Sequence, residues 1–134
     1  MRNDMRGAPL FAEHMPIQVV ERGPDSVVLE TEFTPLHLNA AGTVHGGLLA
    51  SLFDMAITGT AKASVNNGVG TFGVTLSLTM NFIQPLSPGY ARCEGVVTGG
   101  GNRTKFVDAK IFDSQGHLAA TATSTVRVID LEGQ

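Results

Sequence analysis

The stretch Gly46–Ala63, which reads GGLLASLFDMAITGTAKA, decides the fold of this chain. Its apolar residues recur three and four positions apart, the spacing that gathers side chains on one side of an α-helix. They are Leu48, Leu49, Leu52, Phe53, Ala56 and Ile57. The Asn66-Asn67-Gly68 segment that follows favours a turn and ends the pattern. We therefore predict one long helix over residues 46–63, the only long helix that the sequence indicates.

The segments on either side of this helix have the composition of β-strands. Ile17–Arg22 and Val27–Thr34 are rich in β-branched residues, and the Gly23-Pro24-Asp25 segment between them is typical of a hairpin. After the helix, Thr71–Gln84 alternates apolar and polar residues, which predicts a long strand with its apolar residues on one face. Those apolar residues are Phe72, Val74, Leu76, Leu78, Met80 and Phe82. An antiparallel meander of three further strands is predicted at Tyr90–Thr98, Lys105–Phe112 and Leu118–Val128.

These elements combine into one fold because a single apolar helix has to bury its apolar side. The sheet is the partner large enough to cover it. We predict an α+β fold in which an antiparallel sheet of about six strands wraps around one long central helix. The length of 134 residues fits a single domain over residues 1–134. Residues 1–16 are expected to form an N-terminal arm with a short helical turn near Phe11.

The composition narrows the classes of function. Charged residues make up only 16% of the chain and hydrophobic residues 43%, which indicates that another chain covers part of the surface. The net charge of −3 and the lack of a basic stripe argue against a nucleic-acid partner. The sequence contains neither a continuous apolar signal segment nor a stretch long enough to cross a bilayer. We therefore expect a cytoplasmic protein with no membrane partner.

Cysteine and histidine give no support for a metal site. Cys93 is the single cysteine, which excludes an internal disulfide and a cysteine-rich metal site. None of the four histidines has metal-ligand spacing to another. We expect neither a metal nor a cofactor, and we interpret Cys93 as a structural residue rather than a nucleophile.

The back of the predicted helix carries small uncharged residues where a surface helix would carry lysine and glutamate. At about 100° per residue, the side opposite the apolar stripe holds Gly47, Ala50, Asp54, Thr58 and Ala61. Small residues let another backbone come close, so we predict that a second subunit contacts this face. Asp54 would lie in that contact. A buried carboxylate without a cation is costly and indicates a function, whereas a solvated helix residue is the alternative interpretation.

The loop that leads into the helix, Asn39–Gly47, reads NAAGTVHGG. Glycines at a helix start leave backbone N–H groups uncovered, and those groups with the helix dipole stabilise negative charge on an oxygen. An oxyanion hole for acyl transfer has this requirement. Two other interpretations stay open: the glycine pair forms a tight turn without a ligand, and His45 only holds the loop in place.

The spacing of Gly46 and Asp54 constrains any shared role. They are eight residues apart in the sequence, which is roughly 12 Å along one helix. A carboxylate that acts on a carbonyl carbon has to lie within roughly 3–4 Å of it. If both groups are catalytic, Asp54 of one subunit has to face Gly46 of another across a two-fold axis, which gives two equivalent sites per dimer.

Asn39, Gly42, His45-Gly46-Gly47 and Asp54, followed by Gly73-Val74-Thr75, resemble a known family. It is the hotdog-fold acyl-CoA thioesterases of the phenylacetate-degradation, 4-hydroxybenzoyl-CoA thioesterase-like type, and the resemblance covers nearly the whole chain. It implies the hotdog fold and hydrolysis of an acyl-CoA substrate to a free acid and CoA. It also implies a dimer with shared active sites that pairs into a homotetramer, with no metal or cofactor.

The resemblance also implies roles for individual residues. Asp54 would be the nucleophile or the general base for water. The Gly46 amide would polarise the thioester carbonyl, with Gly47 close behind it. Asn39 would orient the attacking water or the carbonyl, and His45 would support the loop and touch the thioester.

Three more residues are expected at the substrate. Thr75 falls where some relatives of the family place a hydroxyl that positions water. Coenzyme A is a polyanion and needs a local positive charge, for which Arg103 and Lys105 are the candidates, although an ordinary charged turn is the alternative. An apolar or aromatic acyl group is expected, in a pocket lined across the subunit interface by Phe11, Met55, Phe72 and Leu76.

Two other functions remain open at this stage. One is a non-catalytic acyl-CoA binding protein, and the other is a hotdog dehydratase or hydratase. Asp54 discriminates against the first, because a protein that only binds has no need of a carboxylate there. The sequence lacks the proline-rich approach to the helix that marks the dehydratases.

Overall fold

The computed structural model describes residues 8–131 and shows one long helix lying against a six-stranded sheet. The elements are α1 (Ala8–His14), β1 (Ile17–Arg22), β2 (Ser26–Phe33), α2 (Gly46–Ala63), β3 (Thr71–Phe82), β4 (Gly89–Gly100), β5 (Thr104–Phe112) and β6 (Leu118–Asp130). The strand order is β1-β2-β4-β5-β6-β3, and every neighbouring pair is antiparallel. The predicted α+β architecture is confirmed. The helical turn near Phe11 is α1, while residues 1–7 of the predicted arm lie outside the described residues.

Helix α2 supplies the centre of the core. Leu52, Phe53 and Ile57 have no exposed surface, and full burial of such side chains stabilises the fold by roughly 1.5–3 kcal/mol each. The helix crosses β4 at Gly95, where a Cβ atom would lie 2.4 Å from the Thr60 hydroxyl oxygen. Glycine is therefore the residue that lets this helix lie directly on the sheet.

Strand β3 does not keep one face towards the helix. Its register with β6 shifts just after Thr75, so a β-bulge divides the strand. Before the bulge, Phe72 and Val74 point to the outer side and are 53% and 36% exposed. After it, Leu78 and Met80 pack against the core. The prediction that all six apolar residues share one face is therefore wrong, because one extra residue exchanges the two faces of a strand.

The chain itself covers part of the small-residue face of α2. Ala61 is fully buried and Thr58 is half-buried. Strand β3 passes them at Gly73, where a Cβ atom would lie 3.2 Å from the Thr58 Cβ atom and carbonyl oxygen. Strand β3 therefore covers that half of the face, and contact of a second subunit with the face stays a prediction. Gly47 and Asp54, nearer the start of the helix, are exposed, and their burial by a partner stays a prediction.

Among residues 8–131, no helix is both long enough and apolar enough to span a membrane.

Candidate active site

The start of α2 presents uncovered backbone donors. His45 is the N-cap residue, and its side chain makes no capping hydrogen bond. Within residues 8–131, no hydrogen bond uses the N–H group of Gly46 or Gly47. Free N–H groups at the positive end of a helix dipole attract an anionic oxygen. The predicted oxyanion donors are therefore open to a substrate, and the exposed His45 ring lies next to them in the chain.

Asn39 organises the loop before the helix. Its side-chain oxygen accepts hydrogen bonds from the Ala41 N–H at 2.9 Å, the Thr43 N–H at 3.1 Å and the Thr43 hydroxyl at 3.3 Å. Its own N–H donates to the Thr43 carbonyl at 2.7 Å, and Gly42 completes the turn with a φ of +81°. Because the oxygen is committed to the loop, the side-chain NH₂ group is the part of Asn39 that can meet a substrate.

The second half of this loop is held from two sides. The Val44 N–H donates to the Leu86 carbonyl at 2.9 Å, and Val44 also pairs with Leu38 in an isolated β-bridge. The His45 N–H donates to the His37 carbonyl at 3.0 Å. These bonds fix the peptide that carries the Gly46 N–H. His37 carries no sequence signal of its own for a role in the site, and only the Thr34-Pro35 capping signal before it marks a turn there.

Asp54 is exposed on α2, and Thr75 lies on β3 facing the helix. The Thr75 hydroxyl donates a 2.6 Å hydrogen bond to Oδ1 of Asp54. The structure thus brings together two predicted site residues that are 21 positions apart. Within residues 8–131, no lysine or arginine forms an ion pair with Asp54. Oδ2 of the carboxylate is free to act on a substrate or on water.

Gly46 and Asp54 do not meet within one chain. They are the first and ninth residues of the same regular helix, which separates them by roughly 12 Å. One subunit therefore offers an oxyanion donor and a carboxylate at two different places on its surface.

Arg103 lies towards the far end of α2, beside a polar cavity of about 440 Å³. The polar lining consists of Asn66, Thr71, Asn102, Arg103 and Asp130. The Thr71 hydroxyl is buried, and no group within residues 8–131 forms a hydrogen bond with it. Lys105 is half-buried on β5 opposite Val126 and does not line this cavity. Only Arg103 of the two predicted cations therefore reaches it.

An apolar cavity of about 290 Å³ adjoins the start of α2. Its apolar lining consists of Val44, Leu49, Phe82, Ile83, Pro85 and Leu86. A Cβ atom on Gly46 would lie 3.4 Å from Cζ of Phe82, so this ring lies beside the Cα atom of Gly46. From the sequence, Phe82 was predicted to lie in a strand and was not assigned to the site.

The residues predicted to line an acyl pocket are not gathered there. Phe11 and Met55 are partly buried against the core, whereas Phe72 and Leu76 are exposed on β3. None of the four lines the cavity beside Gly46. Within one chain these four residues do not form a common pocket, because the bulge in β3 turns its first half outwards, and a pocket that they line across a subunit interface stays a prediction.

Cys93 is fully buried on β4, and burial raises the pKa of its thiol, which keeps the thiol protonated. This agrees with its interpretation as a structural residue. Among the described residues, no group of three or more histidine, cysteine, aspartate or glutamate side chains could hold a metal ion.

An antiparallel sheet around one helix, with open N–H groups where the helix begins and a carboxylate two turns later, defines a hotdog enzyme of acyl-thioester hydrolysis. Residues 41–120 match the thioesterase superfamily, and the chain belongs to that family. The resemblance seen in the sequence is confirmed, and the protein is a thioesterase with the hotdog fold.

Known proteins support this assignment along most of the chain. Human acyl-coenzyme A thioesterase 13 is 33% identical over 73 residues, which are 54% of this chain and 50% of that protein. A Streptococcus mutans protein bound to acetyl CoA has a TM-score of 0.75 at 27% identity, over 85% of this chain and 89% of that one. The E. coli PaaI protein from the phenylacetic acid degradation operon has the same fold, with a TM-score of 0.82 at 23% identity over 93% and 88% of the two chains.

Proposed function

We propose that this protein hydrolyses acyl-CoA thioesters to a free acid and CoA, in a dimer whose two active sites each use both subunits. The observation that carries the proposal is the separation of Gly46 and Asp54 along one helix, because only a second copy can bring such groups together. The S. mutans protein bound to acetyl CoA and the human acyl-CoA thioesterase support CoA as the carrier of the acyl group.

In this mechanism the thioester carbonyl oxygen accepts the Gly46 N–H, with Gly47 as a second donor nearby. Asp54 of the other subunit attacks the carbonyl carbon or removes a proton from the attacking water. Negative charge on the oxygen of the tetrahedral intermediate is stabilised at the helix start. When the carbon–sulfur bond breaks, the sulfur leaves as the thiol of CoA, and the hydroxyl of water remains on the acyl carbon.

The neighbouring residues orient these groups. The Thr75 hydroxyl holds one oxygen of the Asp54 carboxylate, so that the other oxygen faces the reacting carbon. The NH₂ group of Asn39 donates to the carbonyl or to the water. His45 supports the loop and presents its exposed ring to the thioester.

Arg103 is proposed to bind the phosphates of CoA, with Lys105 adding positive charge nearby. Thr71 lies four residues before Thr75 on β3, which is roughly 13 Å along a strand. An extended pantetheine arm could follow β3 from Asp54 to the polar cavity at Arg103. Guanidinium groups bind phosphate oxygens in pairs of hydrogen bonds, and Asp130 in the same lining would face the non-phosphate part of the ligand.

The acyl group is proposed to be apolar or aromatic and to lie in the cavity beside Gly46. A carbonyl oxygen on the Gly46 N–H places the next acyl carbons against Phe82, whose ring contacts that glycine. Burial of apolar acyl atoms there gives roughly 25 cal/mol per Å² of binding free energy. We further propose that dimers pair into a homotetramer and that the protein acts in the cytoplasm.

The experiment that tests the shared site uses two inactive variants. Gly46→Pro removes the donor N–H, and proline suits the first helical position. His45 already has φ −56° and ψ 133°, the extended conformation that a following proline requires. Gly46→Ala keeps the N–H and is the matched control. The second inactive variant is Asp54→Asn, and activity is measured as free-thiol release from a panel of acyl-CoA thioesters.

Each variant alone should be inactive, and their mixture should regain about a quarter of native activity, since half of the dimers carry one native site. If the subunits of the two variants are shown to have exchanged and the mixture still releases no thiol, Gly46 and Asp54 of the same chain form the site. Native protein that binds acyl-CoA without releasing thiol would instead be an acyl-CoA binding protein. Addition or removal of water on the acyl chain, without thiol release, would establish a hydratase or dehydratase.

A further inference from the structure

His37 is a buried histidine with no role in the reaction described above. It ends the single-turn helix Pro35–His37 and is only 6% exposed. Nδ1 of its ring accepts the Thr34 N–H at 2.8 Å, and Nε2 contacts the His14 carbonyl oxygen. The neutral ring with its proton on Nε2 satisfies both contacts. Phe33 packs edge-on against the ring, with 5.5 Å between the ring centres.

The backbone of His37 is joined by a hydrogen bond to His45, the residue before the Gly46 N–H. Its carbonyl oxygen accepts the His45 N–H at 3.0 Å, and the His45 carbonyl accepts the Leu48 and Leu49 N–H groups in the first turn of α2. The Gly46 N–H belongs to the peptide between His45 and Gly46. The direction in which this donor points therefore depends on where the His37 backbone is held.

The His14 carbonyl, which the His37 ring contacts, belongs to a segment that is itself held in the core. His14 is the last residue of α1, and the next residue, Met15, is 1% exposed and donates its N–H to the Phe11 carbonyl at 2.8 Å. The Thr31 hydroxyl donates to the Pro16 carbonyl at 2.6 Å and ties the same segment to β2. The His14 carbonyl is thus a fixed point against which the His37 ring is placed.

We propose that His37 is a positioning residue, which holds the His45–Gly46 peptide in the orientation that the oxyanion requires by linking it to the end of α1. This inference rests on the proposed function of the Gly46 N–H. The link runs from the His14 carbonyl through the His37 ring and backbone to the His45 N–H. Small displacements of such a donor are costly, since about 1 Å of misplacement lowers rates by about 100-fold.

Three substitutions separate the two contacts of the ring. His37→Asn keeps an acceptor at the position of Nδ1 for the Thr34 N–H and loses the contact with His14. His37→Gln keeps a donor for the His14 carbonyl and loses the Thr34 contact. His37→Leu replaces the ring with an apolar side chain of similar bulk and loses both hydrogen-bonding contacts. Ser124→Ala is the matched control, because it removes a buried hydrogen bond between β6 and the Val107 carbonyl of β5, which belongs neither to the segment of His14 nor to the loop of His45.

We expect His37→Leu to lower kcat for acyl-CoA at least 10-fold while KM changes less than about 3-fold, and the Asn and Gln variants to retain intermediate kcat values. Ser124→Ala should lower the thermal midpoint without lowering kcat. If all three His37 variants keep native kcat and change only the thermal midpoint, His37 is a core residue and the proposal is overturned. If the Leu variant does not fold, the Asn and Gln variants decide.

A second measurement keeps this inference separate from the thioesterase proposal. Amide hydrogen exchange of His45, followed by NMR, should speed up at least 10-fold in His37→Leu and remain unchanged in Ser124→Ala. Native protein without thiol release would overturn the proposed function, while the exchange rates would still test the link. Unchanged exchange of His45 in His37→Leu would overturn the link even in an active enzyme.

Discussion

The hydroxyl of Thr75 donates a 2.6 Å hydrogen bond to the carboxylate of Asp54 and so joins the edge strand β3 to the central helix. A carboxylate that accepts one such bond keeps a fixed rotamer and leaves its second oxygen exposed. Hydrogen bonds to a charged group contribute roughly 1.5–3 kcal/mol. The orientation of Asp54 is therefore set before a substrate arrives.

Thr75→Val should lower kcat about 10-fold or more, because the valine has the same shape but cannot hold the carboxylate. Thr75→Ser keeps the hydroxyl and should retain most of the activity. Thiol release at saturating acyl-CoA measures both variants. Equal activity of the valine and serine variants would remove Thr75 from the site.

Gly95→Ala should destabilise the fold by roughly 1–3 kcal/mol, since the added methyl group forces the helix away from the sheet. The clash is with the Thr60 hydroxyl, so the double variant Gly95→Ala/Thr60→Ala should regain part of the lost stability. Unfolding in urea measures the free-energy differences. Gly101→Ala is the control, because no atom lies within 4 Å of its Cβ position. A loss of stability in the control equal to that of Gly95→Ala would contradict the close approach of α2 to β4.

Phe82→Ala should shift substrate preference towards bulky acyl groups, because it enlarges the cavity beside Gly46. We expect the ratio of kcat/KM for phenylacetyl-CoA to that for acetyl-CoA to rise about 10-fold or more, a change worth about 1.4 kcal/mol. Phe106→Ala, which removes an exposed ring from β5, is the control and should leave the ratio unchanged. If Phe72→Ala changes this kcat/KM ratio and Phe82→Ala does not, the acyl group lies in the pocket predicted from the sequence and not in the cavity beside Gly46.

Asp113 should make the stability of the β5–β6 turn depend on pH. Its Oδ1 accepts the N–H groups of His117 at 2.8 Å and Gln115 at 2.9 Å, and the His117 bond is the main cause that lowers the pKa of this carboxyl from its ordinary 3.8. Because the folded state favours the carboxylate, the stabilisation is complete above the ordinary pKa and is lost as pH falls through the lowered one.

The matching experiment compares thermal midpoints of native protein and Asp113→Ala between pH 7 and pH 2. The variant should be less stable at pH 7, and the difference should narrow below the ordinary carboxyl pKa of 3.8. Ser114→Ala, in the same exposed turn, should follow the native protein at every pH. A difference between native protein and Asp113→Ala that stays constant with pH would show that the carboxylate bonds do not stabilise the turn.

The elements that the sequence predicted best are those whose signal is local. Helix α2 begins and ends at the predicted residues, because its apolar spacing is regular and glycine and asparagine mark its ends. Strand β1 also has its predicted bounds. The Gly46 donors could be predicted because they depend only on the position of two glycines at a helix start.

The remaining features depend on contacts between distant parts of the chain. Apolar and polar residues alternate on both sides of the bulge after Thr75, so the sequence gives no signal for it, and the faces of β3 were assigned wrongly. His37 is buried only because α1 packs over it, 23 residues earlier in the chain. Phe82 reaches Gly46 only once β3 has paired with β6. Burial of Asp54 by a second copy stays a prediction.

Because α2 lines the core with one side and bears both Gly46 and Asp54 on its surface, its sequence has little freedom to vary. A substitution that alters substrate choice has to leave the helix intact or lose folding together with activity. Phe82 lies outside that constraint, since it is 53% exposed and belongs to a strand. New substrate ranges are therefore expected to evolve through the end of β3 and the loop after it, and substitutions in the helix are expected to be tolerated less often.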